Sequence, residues 1–316
     1  MLTRRQFSCL PFATALAASK MSSRERVDRA LRGEDVDRVP FTFWHHFLLQ
    51  SFPGARHAQA TLDFHRRFRT DLVKVMSDYP YPKPAGDWYR LRVEENPYPQ
   101  QIRALELIRN GLGGQAHFVE TIFNPWNVAE KLSSPREVLR LKAEQPQALL
   151  DALEVIAKSE AQHARRAVAT GAAGIFLAIA NAQDGILTRS DYEKFSQPFD
   201  KMILEAVASS PLNTLHLHGD RVYLDPFYKG WAASAINYSI HGTGVSVAQV
   251  RKSYSGLLLC GIDERNFRTL TPTLMKGQWQ IAQREAGRRF LLAPGCSVPN
   301  ESTDQELLRL TNVVDG

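Results

Sequence analysis

Two histidines one residue apart stand in the apolar run Asn213-Thr214-Leu215-His216-Leu217-His218, and they are the sharpest chemical feature of the chain. Successive side chains on a β-strand alternate, so both imidazoles face one side while Leu215 and Leu217 face the other. Two imidazoles on one wall can share a divalent ion. A softer third ligand is available in Cys296, at the end of Leu292-Ala293-Pro294-Gly295-Cys296. Two nitrogens, one thiolate and an open position describe a catalytic zinc site rather than a closed structural one. The ordinary alternative is a pair of strand histidines satisfied by hydrogen bonds, with an inert buried thiol. Cys260 lies inside an apolar run and reads as core.

A second set of polar residues closes other apolar runs. Asp78 ends Asp71-Leu72-Val73-Lys74-Val75-Met76-Ser77-Asp78, where a carboxylate can orient, accept or donate a proton. Its alternative role is a loop cap. His45 and His46 follow Phe41-Thr42-Phe43-Trp44, and with Tyr79 and Asn237 they are candidate substrate contacts. Lys74 stands mid-run, odd for a core residue unless paired, and receives no role from the sequence.

Eight short strand-like runs could position these groups: 39–44, 72–76, 117–122, 174–179, 213–218, 235–238, 256–261 and 290–293. Between them lie stretches of helical period with start signals at Ser134-Pro135, Ser190-Asp191, Thr271-Pro272 and Ser302–Asp304. Strands alternating with helices, without a long linker or repeat, predict a single parallel (β/α)8 TIM barrel of the α/β class. An open doubly wound sheet is the runner-up, but no Gly-x-Gly-x-x-Gly follows the first run. Residues 80–99, rich in Pro and Tyr, read as a long loop that could cover the mouth.

In such a barrel the chemistry collects where strands end. The strand ends offer His45 and His46; Ser77, Asp78 and Tyr79; Glu120 and Asn124; Asn181, Gln183 and Asp184; His216 and His218; Asn237 and His241; Asp263 and Glu264; and Cys296. Five of the nine histidines fall in this set.

The bulk composition is that of an ordinary globular protein: 316 residues, 44% hydrophobic and 23% charged. Three cysteines cannot form a closed disulfide framework. The net charge of +6 owes three of its positive charges to Arg4, Arg5 and Lys20, and no dense basic stripe suggests nucleic acid. Thr3-Arg4-Arg5-Gln6-Phe7, followed by small apolar residues to Ala18, resembles a twin-arginine export signal, which predicts a periplasmic protein. Its apolar run, which contains Cys9, is too short to span a bilayer, which needs about 20 residues. Translation from Met21 would instead give a cytoplasmic protein, with Ser22 capping the first helix. The expected organisation is therefore a signal over 1–20 and a barrel over 21–316.

Ser23-Arg24-Glu25-Arg26-Val27, Asp37-Arg38-Val39-Pro40, Ser77-Asp78, His216–Asp220, Gly261-Ile262-Asp263 and Leu292–Cys296 occur in this order. This pattern resembles the uroporphyrinogen decarboxylase superfamily, which holds cofactor-free decarboxylases and zinc-dependent corrinoid methyltransferases. The resemblance implies the (β/α)8 barrel, and Asp78 matches the aspartate that decarboxylases set against the pyrrole nitrogens. Their Arg-Gln-Ala-Gly-Arg stretch is replaced here by His45-His46-Phe47-Leu48-Leu49, and Lys131 stands near their tyrosine. The methyltransferases carry His-x-Cys and a later Cys as zinc ligands. His216 and Cys296 match two of these, and His218 replaces the middle cysteine.

The resemblance thus implies a zinc-dependent, methyltransferase-like enzyme, with His216, His218 and Cys296 as ligands and Asp78 as acid/base. The alternatives are a cofactor-free decarboxylase of porphyrin biosynthesis and a non-catalytic barrel that captures a tetrapyrrole or corrinoid. The expected partners are a small molecule of this kind and a second copy in a homodimer, with no nucleic acid and no membrane span.

Overall fold

The computed structural model describes residues 20–316, so the expected export signal lies outside the described residues, apart from its last residue, Lys20. Seven strands follow in chain order: β1 (Leu72–Val75), β2 (His117–Phe123), β3 (Ile175–Ile179), β4 (Thr214–Leu217), β5 (Ala235–Tyr238), β6 (Leu257–Ile262) and β7 (Phe290–Pro294). They form one sheet in sequential order, every neighbouring pair parallel. Sequential order leaves no reversal point, which excludes the doubly wound alternative and gives a TIM-barrel-like α/β fold.

The first expected strand, 39–44, is replaced by an extended segment with one parallel bridge, Phe41 to Leu292. The physical reason lies in its residues. Pro40 has no N–H to give, although its carbonyl accepts from Leu292 at 2.9 Å, and Thr42 N–H donates back to the Leu292 carbonyl at 2.9 Å. On the β1 side one backbone bond remains, from the Asp71 N–H to the Phe41 carbonyl at 2.8 Å, and side chains supply the rest. Thr42 Oγ1 donates to the Leu72 carbonyl at 2.7 Å, and the Asp71 carboxylate takes the Phe41 N–H at 3.1 Å. The segment is thus bonded to both edge strands without being a regular strand.

Alternation sorts the strand residues. Leu72, Met76, Val119, Phe176, Leu259 and Leu291 pack with Trp44 in one cluster inside the ring. Val73, Val75, Leu215, Leu217 and Ile262 face outward to the helices. The helix Ser23–Arg32 plugs the N-terminal end through Val27 and Ala30, with Ser22 as its cap, accepting from Glu25 N–H at 3.1 Å.

Helix starts at Ser134-Pro135 and Thr271-Pro272 stand as expected, and the last helix is capped by Thr303. The helix expected to open at Ser190 is capped two residues earlier by Thr188 and breaks at Ser196, where Pro198 opens a second helix, Gln197–Glu205. Residues 80–97 hold no regular element, and this loop is fastened to the helix Pro146–Ala169. Tyr81 Oη and Glu94 N–H both donate to Ser159 Oγ, at 2.8 and 2.9 Å. Among the described residues no helix is long and apolar enough to cross a membrane.

Asp71, fully buried, also accepts from Arg26 at 2.6 Å and from Arg38 at 2.6 Å. Asp71→Ala removes a buried counter-charge and orphans the Phe41 N–H. The expected loss in a denaturant titration is about 3–5 kcal/mol, and a loss below about 1 kcal/mol would show that this cluster does not fasten the segment.

Candidate active site

His216 stands on β4, and His218 follows it one position past the strand's end, where its N–H still donates to the Ile179 carbonyl at 2.9 Å. Cys296 arrives two residues beyond β7. Its turn depends on Gly295, because a Cβ there would lie 2.3 Å from the Ser239 backbone. The Gly295 N–H donates to buried Glu264 at 3.1 Å, which holds the turn down.

These positions bring Sγ of Cys296 to 3.7 Å from His216 Nε2 and 3.3 Å from His218 Nδ1, with all three donor atoms within 4.8 Å of one another. A tetrahedral zinc ion with ordinary bond lengths sets its nitrogen and sulfur ligands about 3.6 Å apart. The three donors therefore fit such an ion by type and by spacing.

Asn237, expected as a substrate contact, is fully buried behind His216 instead. Its amide nitrogen donates to the carbonyls of Leu259 and Pro294, at 2.7 and 3.0 Å. Its oxygen must therefore accept, and it takes the Nδ1–H of His216 at 2.5 Å. That bond fixes the tautomer and turns the Nε2 lone pair toward Cys296, the support a metal-binding histidine needs.

Burial works to raise the Cys296 pKa, but the hydrogen bonds and charges of His216 and His218 outweigh it and hold the thiol down at about 4. The same contact raises the pKa of His218. Cys260 is wholly buried and its thiol is pushed well up, so it is core, as expected.

A second cluster stands beside the first. His46 Nδ1 lies 2.8 Å from Asp78 Oδ1. Burial opposes the Asp78 charge, yet the bond to His46 keeps its pKa below the usual carboxylate value. One cleft holds His46, Lys74, His216, His218 and Cys296 together. A neighbouring cleft holds Asp78 and Tyr79, and the two share His46, Phe123 and Lys131.

Tyr79 lines the second cleft, but its hydroxyl donates to the Phe52 carbonyl at 2.8 Å. His45 lines neither cleft. It packs edge-on against Phe47 and Phe64, with Nδ1 2.9 Å from the His46 carbonyl. Glu120 and Asn124 turn away from the mouth. Glu120 meets His163 and Gln101 among the helices, and Asn124 meets Asn181 and Ser196.

The sequence assigned nothing to Lys74, which lines the cleft. It also missed the roles of Asn237 and Glu264 behind the ligands. The alternation of Leu72, Lys74 and Met76 was the signal available for Lys74.

A parallel barrel-like sheet with a His–His–Cys cluster at its C-terminal mouth defines an enzyme scaffold of the TIM-barrel kind. The model of uroporphyrinogen decarboxylase (URO-D) matches residues 77–316, and the chain belongs to that family. No curated protein matches it by sequence. Among solved structures it is similar to a methyltransferase from Methanosarcina mazei, at 18% identity and TM-score 0.72, covering 94% of this chain and 99% of that one. It is also similar to a B12-independent methionine synthase from Shewanella sp. W3-18-1, at 10% identity and TM-score 0.58, covering 88% and 93%. At these identities the likeness concerns the fold.

A thiol held near 4 keeps its reactive thiolate as the pH falls and loses it only on approach to that value. In metal-free protein, iodoacetamide should label Cys296 at nearly equal rates at about pH 8 and pH 6, slowing only below about pH 5, while Cys260 stays unlabelled. Peptide mass spectrometry reads both sites. A Cys296 rate that falls about tenfold per pH unit below pH 8 would mean an ordinary thiol.

Proposed function

We propose that the chain is a metal-dependent enzyme of the URO-D family with methyltransferase-type chemistry, and that His216, His218 and Cys296 hold a zinc ion. The observation that carries this reading is the convergence of three ligand atoms, one of them a tautomer-fixed imidazole and one a thiolate-forming sulfur, in one cleft. The likeness in fold to a methyltransferase and a methionine synthase supports it. When bound, the ion would supply Lewis acidity that lowers the pKa of a thiol or water presented to it.

The chain's own residues supply the rest. Asn237 orients His216, and Glu264 holds the turn that delivers Cys296. His46 faces both clefts with its Nδ1 tied to Asp78, which leaves Nε2 to take a proton from the incoming nucleophile. Asp78 then stabilises the imidazolium, so its role is to orient and balance charge. Trp44, Phe123 and Phe176 give the site apolar walls that strengthen these charge interactions. In this reading residues 1–20 are an export address and 21–316 the enzyme.

Purified protein should carry about one zinc per chain, lost in His216→Ala and Cys296→Ser. Asn237→Ala, which removes only the orienting bond, should weaken zinc binding about 10–100-fold. Elemental analysis and competition with a chromogenic chelator measure both, and an absence of zinc in reloaded wild-type protein would end the reading. Asp78→Asn should keep the zinc but slow transfer of a methyl group to a thiol about 10²–10⁴-fold. Turnover of uroporphyrinogen by the metal-free protein would favour the cofactor-free decarboxylase instead.

A further inference from the structure

Lys74 projects from the middle of β1 to the same side as Leu72 and Met76, and it lines the cleft with His216, His218 and Cys296. The residue is 8% exposed. Nζ lies 5.0 Å from the ring centre of Trp44 and 4.8 Å from that of Phe176, and it donates to Met76 Sδ at 3.0 Å. A thioether is a weak acceptor, and ring faces only partly replace water around an ammonium. Among the described residues Lys74 forms no ion pair, although charges on Asp78, Glu120 and Cys296 act on it from further away. A buried cation without a touching anion is costly, so this position lowers stability unless its partner comes from outside the chain.

The surroundings also limit that partner. One ammonium between two aromatic faces suits a singly charged group with two oxygens. A phosphate dianion would leave one of its two charges without a cation beside the rings and the thioether. Burial pulls the amine down to about 7, which leaves its proton sensitive to the arrival of an anion.

We propose that Lys74 is the anion-binding residue of the cleft, and that the substrate class it selects is a small molecule bearing a carboxylate, which docks on Nζ within reach of the His–His–Cys cluster. This rests on the reading of the cleft as the substrate site and does not require the ion.

The test is calorimetric titration of the full chain, stripped of metal, with butyrate and with butyramide, which share a shape and differ in charge. Wild type should bind butyrate at least about tenfold more tightly than butyramide. Lys74→Met should lose at least about tenfold in butyrate affinity, keep its affinity for butyramide, and melt at or above the wild-type temperature. Equal binding of acid and amide by wild type, binding of neither, or butyrate binding retained in Lys74→Met would each overturn the proposal. A lower melting temperature for Lys74→Met would also overturn it, since the amine would then be structural. Zinc is measured on the same preparations before stripping, so failure of the metal reading and failure of anion selection are separate results.

Discussion

Asn237 connects four neighbouring strands with one amide group. It stands on β5, accepts from His216 on β4, and donates to carbonyls of Leu259 on β6 and Pro294 on β7. Its three bonds are mutually exclusive in role: because the nitrogen is spent on carbonyls, the oxygen has only an acceptor's part to play. The register that sets His216 opposite Asn237 therefore also sets the ring's tautomer, and the hold on Pro294 steadies the turn leading to Cys296. Such a network sits in a low dielectric, where completed bonds are strong and a missing one is expensive.

The mouth concentrates opposing electrical demands. Cys296 bears negative charge near two imidazoles, Lys74 brings an ammonium without a touching partner, and Asp78 leans on His46. Each group alone would prefer water. They are kept because the rest of the barrel is packed with hydrocarbon. Trp44, Phe176, Leu259 and Leu291 fill the ring below, and Val27 and Ala30 seal its far end. The scaffold carries the stability that the site gives up.

Much of this was readable in the residues. Alternation placed both histidines on one face, and Gly295-Cys296 after an apolar run placed the thiol at a strand end, so the three-ligand cluster could be anticipated. Seven of the eight expected strands stand close to their expected bounds. The first expected strand failed for a local reason. Pro40-Phe41-Thr42 keeps only a few backbone bonds, and the Thr42 hydroxyl and the neighbouring Asp71 carboxylate supply others, an arrangement of which periodicity carries no trace. His45 misled because its type suits a site, whereas its direction depends on the turn after Trp44, which seats it among Phe47 and Phe64. Asn237 misled in the opposite sense: it is at the site, but one layer behind it.

The extended segment around Phe41 has its backbone partner in Leu292, about 250 residues later in the chain. During synthesis β1 appears early, yet the seam beside it cannot close until the segment around Leu292 has been made. Until then the growing sheet keeps two open edges, of the kind that invites pairing with other chains. Closing this side of the sheet thus joins the two most distant parts of the barrel sequence, a contact with a high loop-closure cost.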